Sequence, residues 1–188
     1  MKKNYFILGV QSYANHDSGA SILKLDQSKN VLDYVAISEE RLIRKKHPYS
    51  FPIHSINYCM EYFNIKKLSQ IDFLVSDWIR LKKWLRSGPA YNYQMFDYIK
   101  ERFNFNKNKI IQIDHHLAHA ASTYYSSGYN ESAILIVDGN GSDCETNSFF
   151  YGKKNKIILI AKSKNHGIGS VYTNITRNIL NLGDGGEG

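Results

Sequence analysis

The feature that most constrains this chain is a layout used twice. The run from Tyr5 to Val10 is almost wholly apolar, the pattern of a short strand buried on both faces. A polar segment, Gln11 to Ser18, follows it. Two more strands come next, Gly19–Leu25 and Val31–Ser38, joined by a turn around Asp26 to Asn30. Connections this tight predict antiparallel pairing. The same order begins again at Ser132: a strand to Asp138, a glycine-bearing loop from Gly139 to Asp143, strands at 147–152 and 156–163, and a helix over 169–182. The repeat is one of layout and not of residues. Between the two openings lies a helix starting at Pro52, with Ile53, Ile56, Tyr58, Cys59, Met60 and Phe63 as its apolar side. A strand at 70–77 follows, then an aromatic, basic stretch at 78–108, whose Tyr91, Tyr93, Phe96, Tyr98 and Phe103 are assigned to the core in preference to a substrate pocket. The expected order is therefore α/β, with a first unit reading β-β-β-α-β-α-β-α.

Charge and cysteine content narrow the function. The 188 residues carry a formal net charge of +7. The basic residues, however, are scattered lysine pairs such as Lys66-Lys67, Lys82-Lys83 and Lys153-Lys154. A reader of phosphate backbones gathers Arg and Lys on one face, so the pattern argues against nucleic acid. Cys59 and Cys144 lie far apart and form no CxxC pair, which suggests a reducing compartment. No apolar run approaches a membrane span. The apolar run after the N-terminal Met-Lys-Lys is too short for a signal peptide. A cytoplasmic protein is expected.

The chemistry concentrates between residues 109 and 127. The apolar run 109–113 reads as a strand, and Asp114 is placed to cap a helix running from His115 to about residue 127, with Gly128 as its stop. Three of the seven histidines fall in this helix's first five residues. His115 and His119 are four apart, so they share one helical face and can bind one metal ion. No Glu follows His115, so the spacing is not that of an HExxH metalloprotease. By itself the pair is better read as two structural histidines in a strand-to-helix turn.

The remaining motifs give the pair a context. The segment Asn15-His16-Asp17-Ser18-Gly19-Ala20 resembles the HDxxA segment of O-carbamoyltransferases of the NodU/CmcH/TobZ type. Glu39-Glu40-Arg41 with Arg44-Lys45-Lys46-His47 resembles their EER…RxKH block. The run from Asp114 to Ala120 matches DHHxAHA, and Val137 to Gly141 matches VDGxG. The ending Gly183 to Gly188 resembles the start of a glycine loop cut before its lysine. Related tRNA threonylcarbamoyl-transfer enzymes share the metal helix but lack the doubled histidine, so they match less well.

The resemblance implies a sugar-kinase, actin and Hsp70-like (ASKHA) fold. It would comprise a first subdomain at 1–130 and the β-β-β-α opening of a second, truncated one at 131–188, with a YrdC-like domain absent. It implies that such a YrdC-like domain makes carbamoyl adenylate from carbamoyl phosphate and ATP with Mg(II). The amino-terminal domain then moves the carbamoyl group to a hydroxyl of a small-molecule acceptor. His115, His119 and Asp138 would be metal ligands, for Fe(II), Mn(II) or Zn(II). His16 would be the base for the acceptor hydroxyl, with Asp17 orienting it or capping the turn. Lys46 would face the carbamoyl or phosphate group, assisted by Arg41. The hairpin residues Gly139, Asn140 and Gly141 would approach nucleotide oxygens through their backbone, and His116 would reach the nucleotide or the acceptor. The competing expectations are a non-catalytic remnant, or one half of a split enzyme completed by a separately encoded carboxy-terminal half.

Overall fold

A computed structural model describes residues 4–11, 17–48, 51–76, 105–139, 141–164 and 167–182. His16, Asn140, His166, the terminal glycine loop and the aromatic residues assigned to the core at 91–103 lie outside the described residues. The fold is mixed α/β, and its contacts divide the chain into two compact units, residues 1–113 and 114–188.

The first unit is a five-stranded sheet. Its strands are β1 (Tyr5–Gln11), β2 (Gly19–Leu25), β3 (Val31–Ser38), β4 (Phe73–Ser76) and β5 (Ile110–Gln112), in the order β3-β2-β1-β4-β5. The three opening strands are antiparallel as expected, with Tyr5 opposite Leu25 and Gln11 opposite Gly19. β4 and β5 then add in parallel. Parallel neighbours need crossover connections, and the first of these contains α1 (Glu39–Ile43) and α2 (Ile53–Tyr62). α2 lays Ile56, Cys59 and Met60 onto Leu8, Val10, Ile22 and Leu74 of the sheet, and these residues form the core. Cys59 is wholly buried, its Sγ directed at the Ala20 carbonyl, and burial pushes its thiol up to about 11. Its role is packing.

The second unit holds α3 (His115–Ser126), the antiparallel meander β6 (Glu131–Val137), β7 (Asn147–Lys153) and β8 (Lys156–Ser163), and α4 (Ile168–Asn174), which continues into a π-helical turn at Ile175–Ile179. α3 packs on this sheet, although its place in the sequence groups it with the strands before it. The reason is its buried face: Ala120 and Tyr124 meet Ile134, Ile136 and Phe150. Tyr124 lies flat over Gly152, where a Cβ would sit 2.7 Å from the ring. The stripe expected on the last helix differs in another way: Val171, Ile175, Ile179 and Leu182 are exposed. No helix among the described residues is long and apolar enough to cross a membrane.

Candidate metal centre

The centre is built where α3 starts and β6 ends, within the second unit. The Asp114 side chain accepts the N–H of Leu117 at 2.9 Å, the N-cap bond expected from the sequence. A second orphan donor of that first turn, the N–H of His115, is taken by the Ser142 hydroxyl at 2.9 Å. Fixed in this way, the helix stacks His115 and His119 with their Nε2 atoms 3.2 Å apart. Asp138 follows the last residue of β6. Its N–H donates to the Thr146 carbonyl, and its Oδ1 accepts the N–H of Gly139 at 2.6 Å. Its Oδ2 therefore faces the histidines, 2.9 Å from His115 Nε2 and 3.6 Å from His119 Nε2.

This donor set fits a divalent transition ion. Two imidazole nitrogens and one carboxylate oxygen lie within 4.8 Å of one another. Ligands about 2.1 Å from a common ion are separated by about 3.0–3.4 Å at octahedral or tetrahedral angles, within a few tenths of an ångström of the observed 2.9, 3.2 and 3.6 Å. Asp138 Oδ2 is buried and close to its histidine neighbours without an aligned hydrogen bond, as expected of an oxygen whose partner is an ion. The His115 and His119 imidazoles hold the Asp138 carboxyl well below the usual carboxylate range, against the opposing effect of burial. The anionic form needed for ligation is thus favoured.

His116 is turned inward. The hundred-degree step from its neighbour aims it at the sheet, and it is 0% exposed. Its Nδ1 lies 2.7 Å from the Ser148 hydroxyl, and its Nε2 lies 3.7 Å from Asp138 Oδ2. Burial lowers its pKa, offset in part by the charges of Glu145 and Asp138. In place of the expected reach toward nucleotide or acceptor, the side chain faces Asp138 Oδ2 from the buried side of α3.

The loop at 139–146 also differs from expectation. The Gly139 and Gly141 N–H groups are spent inside it, on Asp138 Oδ1 and on the Glu145 carbonyl at 2.7 Å. They do not form an open anion cradle. Gly141 is required for space, since a Cβ would lie 2.4 Å from Glu145 Oε1 and 2.8 Å from the His116 ring. At Gly139 a Cβ would meet nothing within 4 Å. That open side borders a groove of about 480 Å³ lined by Gly139, Gly169, Ser170, Tyr172, Thr173 and Asn174. Asp143, its carboxyl held at about 2 by Lys162 and Lys164, pins the loop to the end of β8.

The first unit carries the other expected residues. Lys46 and Arg41, 83% and 74% exposed, both approach Glu40, at 3.6 and 3.9 Å. Asp17 Oδ1 lies 3.2 Å from His47 Nδ1, which ties the HDxxA-like segment to the end of the charged block. Both residues adopt left-handed backbone, φ 61° and 47°. Sequence reasoning passed over Ser142, Glu145 and Ser148. For Ser148 a signal existed: it alternates with Phe150 on the inward face of β7.

Comparison with known proteins places the chain. The sequence profile described as Carbamoyltransferase N-terminus matches residues 6–102 and 81–183. Uncharacterized protein sll1178 of Synechocystis sp. is 29% identical over 179 residues, covering 80% of this chain and 28% of its own length. Nodulation protein NolNO of Sinorhizobium fredii is 31% identical over 140 residues, covering 67% of this chain and 20% of its own length. The chain thus spans less than a third of these curated relatives. Among solved structures, YeaZ from Pseudomonas aeruginosa aligns with a TM-score of 0.45 and 12% identity, over 86% of this chain and 66% of that one.

Proposed function

The chain belongs to the carbamoyltransferase N-terminal family, and on that footing we propose that it serves the transfer step of an ATP-dependent O-carbamoyltransferase. The donor is carbamoyl adenylate, made from carbamoyl phosphate and ATP by a YrdC-like domain, and the acceptor is a hydroxyl of a small molecule. The acceptor oxygen bonds to the carbamoyl carbon. The bond from that carbon to the adenylate phosphate oxygen breaks, its electron pair leaves on AMP, and the hydroxyl proton passes to a base. His16 takes that proton, a role drawn from its motif, for which a near-neutral imidazole is suited. Lys46 and Arg41 bring positive charge on long, exposed side chains to the carbamoyl or phosphate oxygens. Gly139, lacking a Cβ, lets the adenylate approach the loop closely along the neighbouring groove.

The observation that carries the reading is the His115, His119 and Asp138 cluster, with its buried Oδ2 facing both imidazoles. A divalent ion held there supplies positive charge for adenylate or carbamoyl oxygens. The residues themselves hold its position: α3 fixes the two imidazoles, and the Thr146 and Gly139 contacts fix the carboxylate.

Metal titration and a pair of activities test this. The purified protein should bind about one equivalent of Fe(II), Mn(II) or Zn(II), and His119→Ala should lose most of that affinity. Unchanged binding in the variant removes His119 from the site. In an enzyme that joins this domain to its adenylate-forming partner, His16→Asn should abolish carbamoyl transfer and leave carbamoyl adenylate formation intact. Equal loss of both activities argues against a base.

A further inference from the structure

Among the described residues only four buried side-chain polar atoms lack an aligned partner, and two of them face each other: His116 Nε2 and Asp138 Oδ2, 3.7 Å apart. Each is enclosed, so neither is satisfied by bulk solvent. His116 does not join the ligands, since its ligating atom falls outside the cluster formed by His115, His119 and Asp138. Its ring is 6.1 Å from that of His115, centroid to centroid. It approaches the carboxylate from within the unit, from the sheet-facing side of α3.

We propose that His116 is a positioning residue of this centre: its Nε2–H, selected by Ser148 on Nδ1, faces Asp138 Oδ2 across 3.7 Å, beyond hydrogen-bond length, and by attraction to the carboxylate keeps that oxygen turned toward the ion. The proposal rests on the metal reading above. The tautomer follows from charge. A carboxylate oxygen facing an unprotonated Nε2 in a buried site sets lone pair against lone pair, whereas a proton on Nε2 makes the same 3.7 Å contact attractive. The Nε2–H tautomer leaves Nδ1 as acceptor, and the Ser148 hydroxyl, 2.7 Å away and buried, is the donor it needs. Glu145 closes the ring from behind, its Oε1 4.0 Å from Nδ1. Gly141 is bare because both His116 and Glu145 occupy the space a side chain would need. Asp138 then has a full set of partners: Gly139 N–H on Oδ1, and His116 and the ion on Oδ2. Ligating carboxylates held by such outer contacts lose affinity when the contact is removed.

The test titrates the 188-residue protein with Co(II), reading the dissociation constant by competition with a chromophoric chelator and the coordination geometry from visible absorption. His119→Ala is the control for the metal reading; if it binds as the parent does, that reading falls and the positioning role with it. His116→Asn keeps an amide near Ser148 but withdraws the donor from Asp138, and should weaken binding about 10–100-fold with an altered Co(II) spectrum. His116→Gln carries an N–H to the place of Nε2 and should restore binding to within a few-fold of the parent. Ser148→Ala should shift affinity and spectrum in the same direction as His116→Asn, by less. If His119→Ala loses the ion while His116→Asn binds it with parental affinity and spectrum, His116 only fills space and the proposal is overturned. Weaker binding by the Gln variant than by the Asn variant overturns it as well. Should His116→Asn fail to fold, as judged by circular dichroism of the metal-free protein, Ser148→Ala decides: parental affinity and spectrum reject the role.

Discussion

Glu39 spends both carboxylate oxygens on the first turn of α2. Oε1 accepts the N–H of His54 at 3.2 Å and lies 2.6 Å from its Nδ1, and Oε2 accepts the N–H and the hydroxyl of Ser55 at 2.8 and 2.6 Å. The residue at the N-cap position of α2, Pro52, makes no side-chain capping bond, so the cap comes from α1 across the crossover. Burial, at 1% exposure, raises the Glu39 pKa, but the bonds from Ser55 and His54 outweigh it and leave the carboxyl below its ordinary 4.5. A depressed folded-state pKa contributes stability above the unfolded value and loses it as pH falls through the folded one. Glu39→Gln turns amide hydrogens toward the helix donors and should cost about 2 kcal/mol at neutral pH, read from urea unfolding. The gap to the parent should shrink below about pH 4.5, and a gap independent of pH rules out the charged cap. The charged block from Glu39 to His47 offered no sign of this, because burial of one carboxylate depends on where α2 docks. That His115 and His119 share a face was legible because helical spacing is a local feature, whereas Asp138 was grouped with them only through the motif resemblance. The inward aim of His116 depends on which sheet α3 covers, and that is not local.

α3 is the element whose packing decides the site. It carries both imidazoles, and its far end is seated by Tyr124 against Gly152, with the Tyr124 hydroxyl donating to the Asn130 carbonyl at 2.8 Å. Gly152→Ala would put a methyl group into the ring face. It should destabilise by about 1–3 kcal/mol through overpacking and weaken metal binding by tilting the helix that holds His115 and His119. Gly139→Ala, entering open space, should leave the unfolding midpoint unchanged. A neutral Gly152→Ala would mean that the ring moves aside freely. Element boundaries were legible where pattern and turn chemistry agreed: β2, β3 and β8 run from Gly19 to Leu25, Val31 to Ser38 and Lys156 to Ser163, as their residues require. α1 was hidden, because five residues rich in charge give no apolar period. At 175–179 the apolar stripe reads as regular helix, yet the backbone takes a π turn while those side chains remain exposed.

The molecule is uneven in how well its two units are held. Among the described residues, twelve buried apolar side chains form the core of the first and five that of the second, and the outer face of the second sheet leaves Leu135, Val137, Phe149 and Ile158 exposed. Strands apolar on both faces gain their full stability only when both are covered, so the smaller unit depends more on its other ties. The His115, His119 and Asp138 cluster is one such tie, because an ion held there cross-links α3 to the end of β6 on the covered side of the sheet. An ion that binds only the folded unit stabilises it by mass action, about 2.7 kcal/mol at a free concentration 100-fold above the dissociation constant. Hydrogen exchange can locate that gain. Added Zn(II) or Mn(II) should slow amide exchange in α3 and β6 to β8, and a chelator should reverse this, with little change in β1 to β5. The same protection in His119→Ala would assign the effect to ions bound elsewhere. An equal slowing across both units would mean that the chain opens as one cooperative body, and the ion would then act on global unfolding and not on the smaller unit alone.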